Sequence, residues 1–181
     1  PTVAPFMPLP GDWPVPAGVT ADTELPLETA ALAPAGATAS PLPSASFEAL
    51  GDNGFNIPPD TMGAAGPNHL MVTLNSVVRI QDKSGGVLSG VTLNFFWSST
   101  GSSGVFDPKI TYDPFENRWI FTALSNSRSA DSSLLVGVTE TSDPAGAWFL
   151  FRIDVDDTDT DWGDFPYVGF NKDWAVITLN F

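Results

Sequence analysis

Alternating apolar and polar residues, interrupted by Gly, Pro, Asp and Asn, dominate the chain from about residue 47 onwards. An apolar spacing of two predicts half-buried strands, and short continuous apolar runs predict fully buried ones. No stretch shows the three-to-four residue spacing of an amphipathic helix, so the pattern predicts an all-β protein. The predicted strands span 61–66, 69–75, 77–82, 87–96, 108–113, 118–125, 133–140, 147–154, 166–171 and 173–181.

One strand–turn–strand phrase occurs three times along this part of the chain. The copies run from Asp60 to Asn75, from Asp107 to Asn126 and from Asp164 to Phe181. Four antiparallel strands repeating about every fifty residues are typical of β-propeller blades. A β-sandwich or a solenoid also contains many short strands and is the alternative. The pattern therefore favours a partial propeller of about two and a half four-stranded blades.

The third unit contains only two predicted strands, at 166–171 and 173–181, where the first two units contain four. Closed propellers have about four to eight blades, because radial closure protects the strand edges. We therefore expect either that the printed sequence is part of a longer product, as a fragment or after proteolysis, or that other chains complete the ring. A fragment or a product of proteolysis is favoured over completion of the ring by other chains.

Four phrases carry a resemblance to known proteins: IPPDTMGAAGPNHLMVTLNS (57–76), DPKITYDPFENRWIFTALS (107–125), SLLVGVTETSDPAGAWFLFRID (133–154) and FPYVGF (165–170). Together they resemble a poorly characterised group of secreted bacterial β-propeller proteins. The resemblance implies an exported propeller. It brings no catalytic motif with it, so it implies no particular reaction.

The N-terminal segment, residues 1–46, contains ten of the seventeen prolines among many alanines. Proline fixes φ and lacks a backbone donor, so this composition predicts an extended Pro/Ala-rich arm ahead of the blades at 47–181. A solvated linker is the alternative, but large apolar side chains are too frequent for a pure spacer. We predict that the arm packs on a partner or on its own domain through Phe6, Met7, Leu9 and Trp13.

The chain carries a formal charge of −14 and has no cysteine. An acidic chain repels a phosphate backbone, so nucleic acid is excluded as a partner, and anionic membrane surfaces are disfavoured. The absence of cysteine excludes disulfides and zinc–thiolate sites. No apolar run reaches the ~20 residues of a membrane span. Few lysines and many Ser, Thr, Asn and Gly residues indicate a secreted or periplasmic protein.

An acidic run follows the last strand of the second unit. Within it, Asp157, Asp159 and Asp161 have the spacing of the first three ligands of a calcium loop. Trp162 replaces the glycine of such loops, and no glutamate follows at the twelfth position. We predict calcium bound in a loop of another type, with a solvated connection between blades as the alternative. The predicted ligands are Asp154, Asp156, Asp157, Asp159 and Asp161.

Other side chains are candidates for catalysis. A glycosidase needs two carboxyl groups flanking a sugar, one protonated and one ionised. The candidates are Asp60, Asp107, Asp113 and Glu116, although turn and strand-end roles account for them equally well. The single histidine, His69, is predicted to begin a strand rather than to act as a base.

Six tryptophans are available to stack on a ligand such as a sugar ring. We predict ligand contact for Trp97, at a strand end, and for Trp162, in the acidic run. The three that lie within strand patterns are predicted to be core residues: Trp119, Trp148 and Trp174.

These observations predict a non-catalytic, exported binding or scaffolding module that holds a protein or glycan partner. It would function alone or as a subunit of a larger assembly outside the cytoplasm. The alternative is a glycan-active hydrolase or lyase whose active centre lies on the propeller axis.

Overall fold

The computed structural model describes residues 40–181, of which 43–181 form one compact unit. The predicted partner contacts of the N-terminal arm fall outside the described residues, so they stay a prediction. Strands dominate the described part, which confirms the all-β prediction. The ten strands are β1 Met62–Ala65, β2 His69–Thr73, β3 Val77–Asp82, β4 Val87–Thr92, β5 Phe106–Asp113, β6 Arg118–Ser125, β7 Ser133–Thr139, β8 Trp148–Asp154, β9 Asp164–Phe170 and β10 Ala175–Asn180.

The strands form three antiparallel sheets, each built from consecutive strands. The first sheet contains β1 to β4 and the second contains β5 to β8, each in sequence order. The third sheet contains β9 and β10. Polar turns connect the strands; for example, the Asp82 carboxylate accepts hydrogen bonds from the backbone N–H groups of Ser84 and Gly86, both at 2.8 Å. The two four-stranded units predicted from the sequence are therefore present.

The main hydrophobic core lies between the first and second sheets. Trp119 and Phe121 of β6 point into it, together with Met71 of β2, and all three are fully buried. Aromatic rings pack edge to face there: the ring centroids of Phe96 and Phe121 are 5.0 Å apart. Burying large aromatic side chains supplies much of the stability of a core of this size.

The third sheet packs against the opposite face of the second sheet, where β9 contacts β5 and β6. Leu179 of β10 and Leu124 of β6 both approach Gly163. The ammonium group of Lys109 lies 4.1 Å from the ring centroid of Phe165. The second sheet is therefore sandwiched between the other two over its first strands.

The first strands of the three sheets lie side by side, β1 against β5 and β5 against β9. Each of the three copies of the repeated phrase contributes one of these strands. This arrangement brings the beginnings of the three copies to the same part of the molecule.

The predicted strand at 87–96 is too long. It ends at Thr92, and a one-turn helix, α1, follows at Leu93–Phe96. The Thr92 hydroxyl accepts a hydrogen bond from the Phe95 N–H at 3.1 Å, which is the standard N-cap interaction. The apolar residues of this segment suit a strand and a buried helical turn equally well, so periodicity alone could not separate the two.

The helix and the 3₁₀ turn at Ser98–Thr100 place Trp97 in the core, where it is fully buried. The expectation of an exposed ring at a strand end is therefore wrong. The prediction that Trp174 is a core residue is also wrong, because its side chain is 72% exposed. It lies in the turn before β10, where the Asn171 side chain accepts its backbone N–H at 2.9 Å.

The predictions for the other core tryptophans and for the histidine agree with the structure. Trp119 is fully buried, and Trp148 packs against the same core. His69 is the first residue of β2, and its Nε2 lies 3.8 Å from the Asp143 carboxylate. Among residues 40–181, no helix has the length and apolar character needed to cross a bilayer.

Candidate functional site

A cavity of about 680 Å³ opens between the first and second sheets. Its wall is formed by the loop at 53–56, the β2–β3 turn, the start of α1, residues 104–106 and Ser127. The volume is within the usual range of small-ligand sites, about 300–1,000 Å³. Connections from separate parts of the chain converge there, so the cavity is a concave surface available for a ligand.

Uncharged polar side chains and aromatic rings line this cavity. Of its described lining residues none is charged, although the chain contains 21 acidic residues. Amide groups both donate and accept hydrogen bonds, and aromatic faces provide flat apolar surfaces. The cavity therefore suits a neutral ligand that carries hydroxyl groups. Its four amides and two aromatic rings belong to Asn53, Asn56, Asn75, Asn94, Phe55 and Phe106.

Local hydrogen bonds fix the loop that carries Phe55. The Asn53 side chain accepts the Phe55 N–H at 3.2 Å and donates to the Ser76 hydroxyl at 2.9 Å. Gly54, between them, has φ of 69°, a left-handed conformation that glycine adopts without strain. Phe55 is 81% exposed, so its ring is presented to solvent at the cavity rim.

A hydrogen bond also fixes Asn94 in the wall of the cavity. It lies in the first turn of α1, and its side-chain oxygen accepts the Val105 N–H at 3.0 Å. This bond orients the amide group, whose Nδ2 donates no hydrogen bond within the described part of the chain. A ligand oxygen in the cavity is a suitable acceptor for that donor.

Asn75 connects the cavity to a group of acidic residues behind it. Its Nδ2 donates to the Asp60 carboxylate, and its Oδ1 accepts the backbone N–H of Asp107. Its own N–H donates to the Pro59 carbonyl at 2.7 Å. Every polar group of the Asn75 side chain is thus used to align two aspartates next to the cavity.

Three carboxyl groups meet at this point. The carboxyl of Asp107 contacts those of Asp60 and Asp164, and its Oδ2 accepts the Phe165 N–H at 3.1 Å. Each aspartate stands at the beginning of a first strand, because Asp60 precedes β1 while Asp107 and Asp164 lie in β5 and β9. We refer to these residues as the carboxylate trio.

Two members of the carboxylate trio, Asp107 and Asp164, have a raised pKa. Burial raises the pKa of Asp107, and the negative charge of Asp60 raises it further against the opposing Phe165 hydrogen bond. Burial also raises the pKa of Asp164, with a second contribution from the charge of Asp107. Removing a carboxyl from water and placing it beside like charges both favour the protonated form.

The backbone at the trio has uncommon conformations. Asp60, Asp107 and Phe165 have φ of 47°, 50° and 45°, in the left-handed region that non-glycine residues rarely occupy. Such conformations persist where surrounding contacts hold them, and they concentrate at functional sites. Here the contacts are the hydrogen bonds of Asn75 and of the Phe165 N–H.

The trio includes two of the four carboxyl groups considered from the sequence, Asp60 and Asp107. The other two belong to the β5–β6 turn, where the Asp113 carboxylate accepts the Phe115 N–H at 2.8 Å and Glu116 follows it. Asp164 was not among the candidates for catalysis. The sequence does contain a pattern that groups Asp164 with the other two, since each copy of the repeated phrase begins with aspartate.

The acidic run predicted to bind calcium is organised around Asp156. Its carboxylate accepts backbone N–H groups of Thr158 at 3.0 Å, Thr160 at 2.8 Å and Asp161 at 2.9 Å. These donors hold the pKa of Asp156 well below its usual range, the Asp161 N–H contributing most. Over residues 40–181, no group of three or more His, Asp or Glu side chains is arranged to hold a metal ion.

Trp162 lies close to the cavity, whereas Trp97 is enclosed in the core. The half-buried Trp162 ring is 5.8 Å from the guanidinium carbon of Arg128 and 6.4 Å from the centroid of the Phe106 ring. Phe106 itself lines the cavity. Of the two tryptophans predicted to bind a ligand, only Trp162 has a position next to a cavity.

The candidate site therefore has two adjoining parts, a neutral cavity and the carboxylate trio, which share Asn75. Loops from three separate connections supply the amides of the cavity, so no short sequence motif marks it. No protein-family model, curated protein or solved structure matches this chain.

Proposed function

We propose that this chain is a non-catalytic binding module of a secreted or periplasmic protein and that its cavity holds a glycan. The observation that carries the proposal is the neutral lining of amides and aromatic rings in an otherwise acidic protein. Sugar hydroxyls pair with amide groups, and the apolar face of a sugar ring packs on aromatic rings. A neutral glycan also avoids the electrostatic repulsion that a chain with charge −14 exerts on anions.

The three sheets are successive blades of a β-propeller in this proposal. Its support is the side-by-side placement of β1, β5 and β9, each the first strand of a unit with consecutive antiparallel strands. Equivalent strands of successive blades line a common axis in a propeller. The carboxylate trio, at the beginnings of these strands, would then lie at the axis.

Phe55 provides the test of the binding proposal. Its exposed ring at the cavity rim makes few contacts within the protein, so Phe55→Ala should leave the fold intact while removing a stacking surface. We expect affinity for a neutral oligosaccharide to fall about tenfold, the equivalent of about 1.4 kcal/mol. Isothermal titration calorimetry against a panel of neutral oligosaccharides measures this change.

Phe115→Ala is the matched control for that experiment. Phe115 is also an exposed aromatic residue, but it lies in the β5–β6 turn and does not line the cavity. Its replacement should leave the affinity unchanged. Failure of the unaltered protein to bind any neutral oligosaccharide, or equal affinities for the Phe55 variant and the unaltered protein, would contradict the proposal.

A glycan-active hydrolase or lyase is the second candidate function, and the carboxylate trio favours it. Asp107, with a raised pKa, adjoins Asp60, and both are aligned by a residue that lines the cavity. A carboxyl with a raised pKa is suited to act as the general acid of glycoside cleavage. Release of new reducing ends from a bound oligosaccharide, abolished by Asp107→Asn, would establish this function in place of simple binding.

Calcium remains a proposal for the acidic run. The proposed ligands are Asp154, Asp156, Asp157, Asp159 and Asp161, and the Asp156 carboxylate also accepts backbone N–H groups of its own loop. Binding to the folded state would stabilise it by mass action. We expect a chelator to lower the melting temperature of protein prepared with calcium; an unchanged melting curve would rule the proposal out.

A further inference from the structure

A second concave site lies between the β6–β7 and β8–β9 connections, and its volume is about 290 Å³. The structure describes both connections in full, from one strand to the next. We call this site the outer pocket. Its polar and aromatic lining side chains are Arg128, Ser129, Asp159, Thr160, Asp161 and Trp162.

Hydrogen bonds hold the two walls of the outer pocket together. The Ser132 hydroxyl accepts the Gly163 N–H at 3.1 Å, and the Ser132 carbonyl accepts the Val155 N–H at 3.4 Å. Within the β8–β9 connection, the backbone N–H groups that donate to the Asp156 carboxylate fold the chain around that side chain. The pocket is therefore formed before a ligand arrives, which reduces the conformational entropy lost on binding.

Trp162 provides an aromatic surface in the outer pocket. Its ring is half-buried, and the guanidinium carbon of Arg128 lies 5.8 Å from its centroid. That guanidinium donates no hydrogen bond within residues 40–181, so its N–H groups are available to a ligand. Asp159 and Asp161 supply carboxylate acceptors. An aromatic face with donors and acceptors around it matches the apolar face and the hydroxyl groups of a sugar ring.

The outer pocket adjoins the neutral cavity. The Phe106 ring lines the cavity, and its centroid is 6.4 Å from that of Trp162. On the β6–β7 connection, Ser127 lines the cavity, and the next residue, Arg128, lines the outer pocket. Aromatic rings therefore extend from Phe55 at the cavity rim through Phe106 to Trp162.

This continuity favours one long ligand over two short ones. A sugar that is linked to another sugar already bound in the cavity enters the outer pocket at a high effective concentration, so the two sites reinforce each other. Two separate ligands would each lose their translational freedom in full.

The charges of the outer pocket restrict the ligand further. One cation, Arg128, is accompanied by the carboxylates of Asp159 and Asp161 in a chain of charge −14. A sugar that carries a carboxylate or a sulfate would be repelled. Neutral hydroxyl groups, which both donate and accept, satisfy the guanidinium and the carboxylates together.

We propose that the cavity and the outer pocket form one extended site for a segment of a neutral polysaccharide several sugars long. One end of the segment occupies the cavity, and sugars further along the chain stack on Trp162 and hydrogen-bond to Arg128. This inference rests on the proposed binding of a glycan in the cavity, and it deepens that function by naming the ligand as a chain rather than a single sugar.

Isothermal titration calorimetry with a short and a long form of the same sugar tests the proposal. The probes are cellobiose with cellohexaose, xylobiose with xylohexaose, and maltose with maltohexaose. In the series that binds, we expect the hexasaccharide to bind the unaltered chain about tenfold more tightly than the disaccharide, because only the longer ligand reaches Trp162.

Trp162→Ala separates the two parts of the site. It should remove most of that gain and leave the disaccharide affinity unchanged, whereas Phe55→Ala should weaken the binding of both lengths. Trp162→Phe keeps an aromatic face and should retain most of the gain. Trp174→Ala is the matched control, because Trp174 is exposed in the β9–β10 turn and lines neither site. Circular dichroism checks that the variants remain folded.

The outcomes distinguish this inference from the function on which it rests. Equal affinities of the two lengths for the unaltered chain would overturn the inference and leave the proposed function intact. An unchanged hexasaccharide affinity in Trp162→Ala would also overturn it, as would equal losses for both lengths, which would show that Trp162 only supports the cavity. Binding of neither length in any series would contradict the proposed function and this inference together.

Amide chemical shifts supply a second readout. The hexasaccharide should shift the amides of residues 128–130 and 159–162 in addition to those of the cavity, and the disaccharide should shift the cavity amides alone. Hexasaccharide shifts confined to the cavity would overturn the inference.

Discussion

Asp107 is a buried carboxyl, 8% exposed, that contacts two other carboxyl groups. Burial and the neighbouring charge of Asp60 raise its pKa above the ordinary value of 3.8. The folded chain therefore binds this proton more tightly than the unfolded chain does. Consequently, the carboxyl's contribution to the free energy of unfolding decreases as the pH rises from 3.8 through the folded-state pKa.

Asp107→Asn should increase the free energy of unfolding at pH 7, because it removes the buried charge. The amide oxygen still accepts the Phe165 N–H, and asparagine tolerates the left-handed φ of 50°. The gain should shrink as the pH is lowered towards 3.8, where the aspartate itself becomes protonated. Urea unfolding at pH 7 and at pH 4 measures the difference.

Asp131→Asn provides the control, since Asp131 is exposed and outside the trio. It should change stability little and to the same extent at both pH values. A loss of stability at pH 7 in Asp107→Asn would show that the carboxylate is stabilised as an anion, contrary to the account given above.

Individual side chains were predicted well where local chemistry determines their position. His69 begins a strand after Gly66-Pro67-Asn68, and Asp113 accepts N–H groups in its turn. Burial of tryptophans was less predictable because a ring needs a neighbouring sheet to cover it. Trp97 acquires that cover through α1, whereas Trp174 lies in an exposed turn.

At the scale of elements, the contact between the β1–β2 turn and β6 depends on a glycine. A Cβ on Gly66 would lie 2.6 Å from the Cζ2 atom of Trp119, far inside van der Waals contact. Gly66→Ala should therefore lower the free energy of unfolding by roughly 1–3 kcal/mol, the usual cost of overpacking a core. Chemical denaturation monitored by tryptophan fluorescence measures the loss.

Gly90→Ala is the comparison for that variant. Gly90 lies in β4, and a Cβ there would meet no atom within 4 Å. Alanine also reduces the conformational entropy of the unfolded chain, so this variant should be neutral or slightly more stable. Equal losses at positions 66 and 90 would contradict the close packing of the turn against Trp119.

The strands themselves could be predicted from the sequence because their period of two and their turn residues are local signals. The correspondence extends from β1 to β10, and all strand ends but that of β4 lie within two residues of the prediction. The helix α1 could not be predicted in this way, since one turn is too short to show a period. Its signal was the capping threonine, Thr92, which a strand pattern also accommodates.

At the scale of the whole molecule, repetition predicted the two four-stranded sheets but not their arrangement. The carboxylate trio forms because the first strands of three units lie side by side, which joins residues up to about a hundred positions apart. The cavity likewise combines amides from separate connections. Such contacts depend on how sheets stack, and spacing within one unit does not encode them.

The stacking of the sheets also determines which apolar surfaces remain uncovered. The alternation in β8 predicts two apolar faces, yet only the structure reveals that the third sheet covers β5 and β6 and not β7 and β8.

Ligand binding in the cavity is the central claim, and amide chemical-shift mapping tests it most directly. ¹⁵N-labelled protein is titrated with the neutral oligosaccharide that binds best, while mass spectrometry follows the sugar. We predict that the largest shifts fall at residues 53–56, 75–76 and 104–106 and that the sugar stays intact. Shifts confined to other surfaces, or no shifts at all, would contradict the claim, and cleavage of the sugar would replace it with the enzymatic alternative.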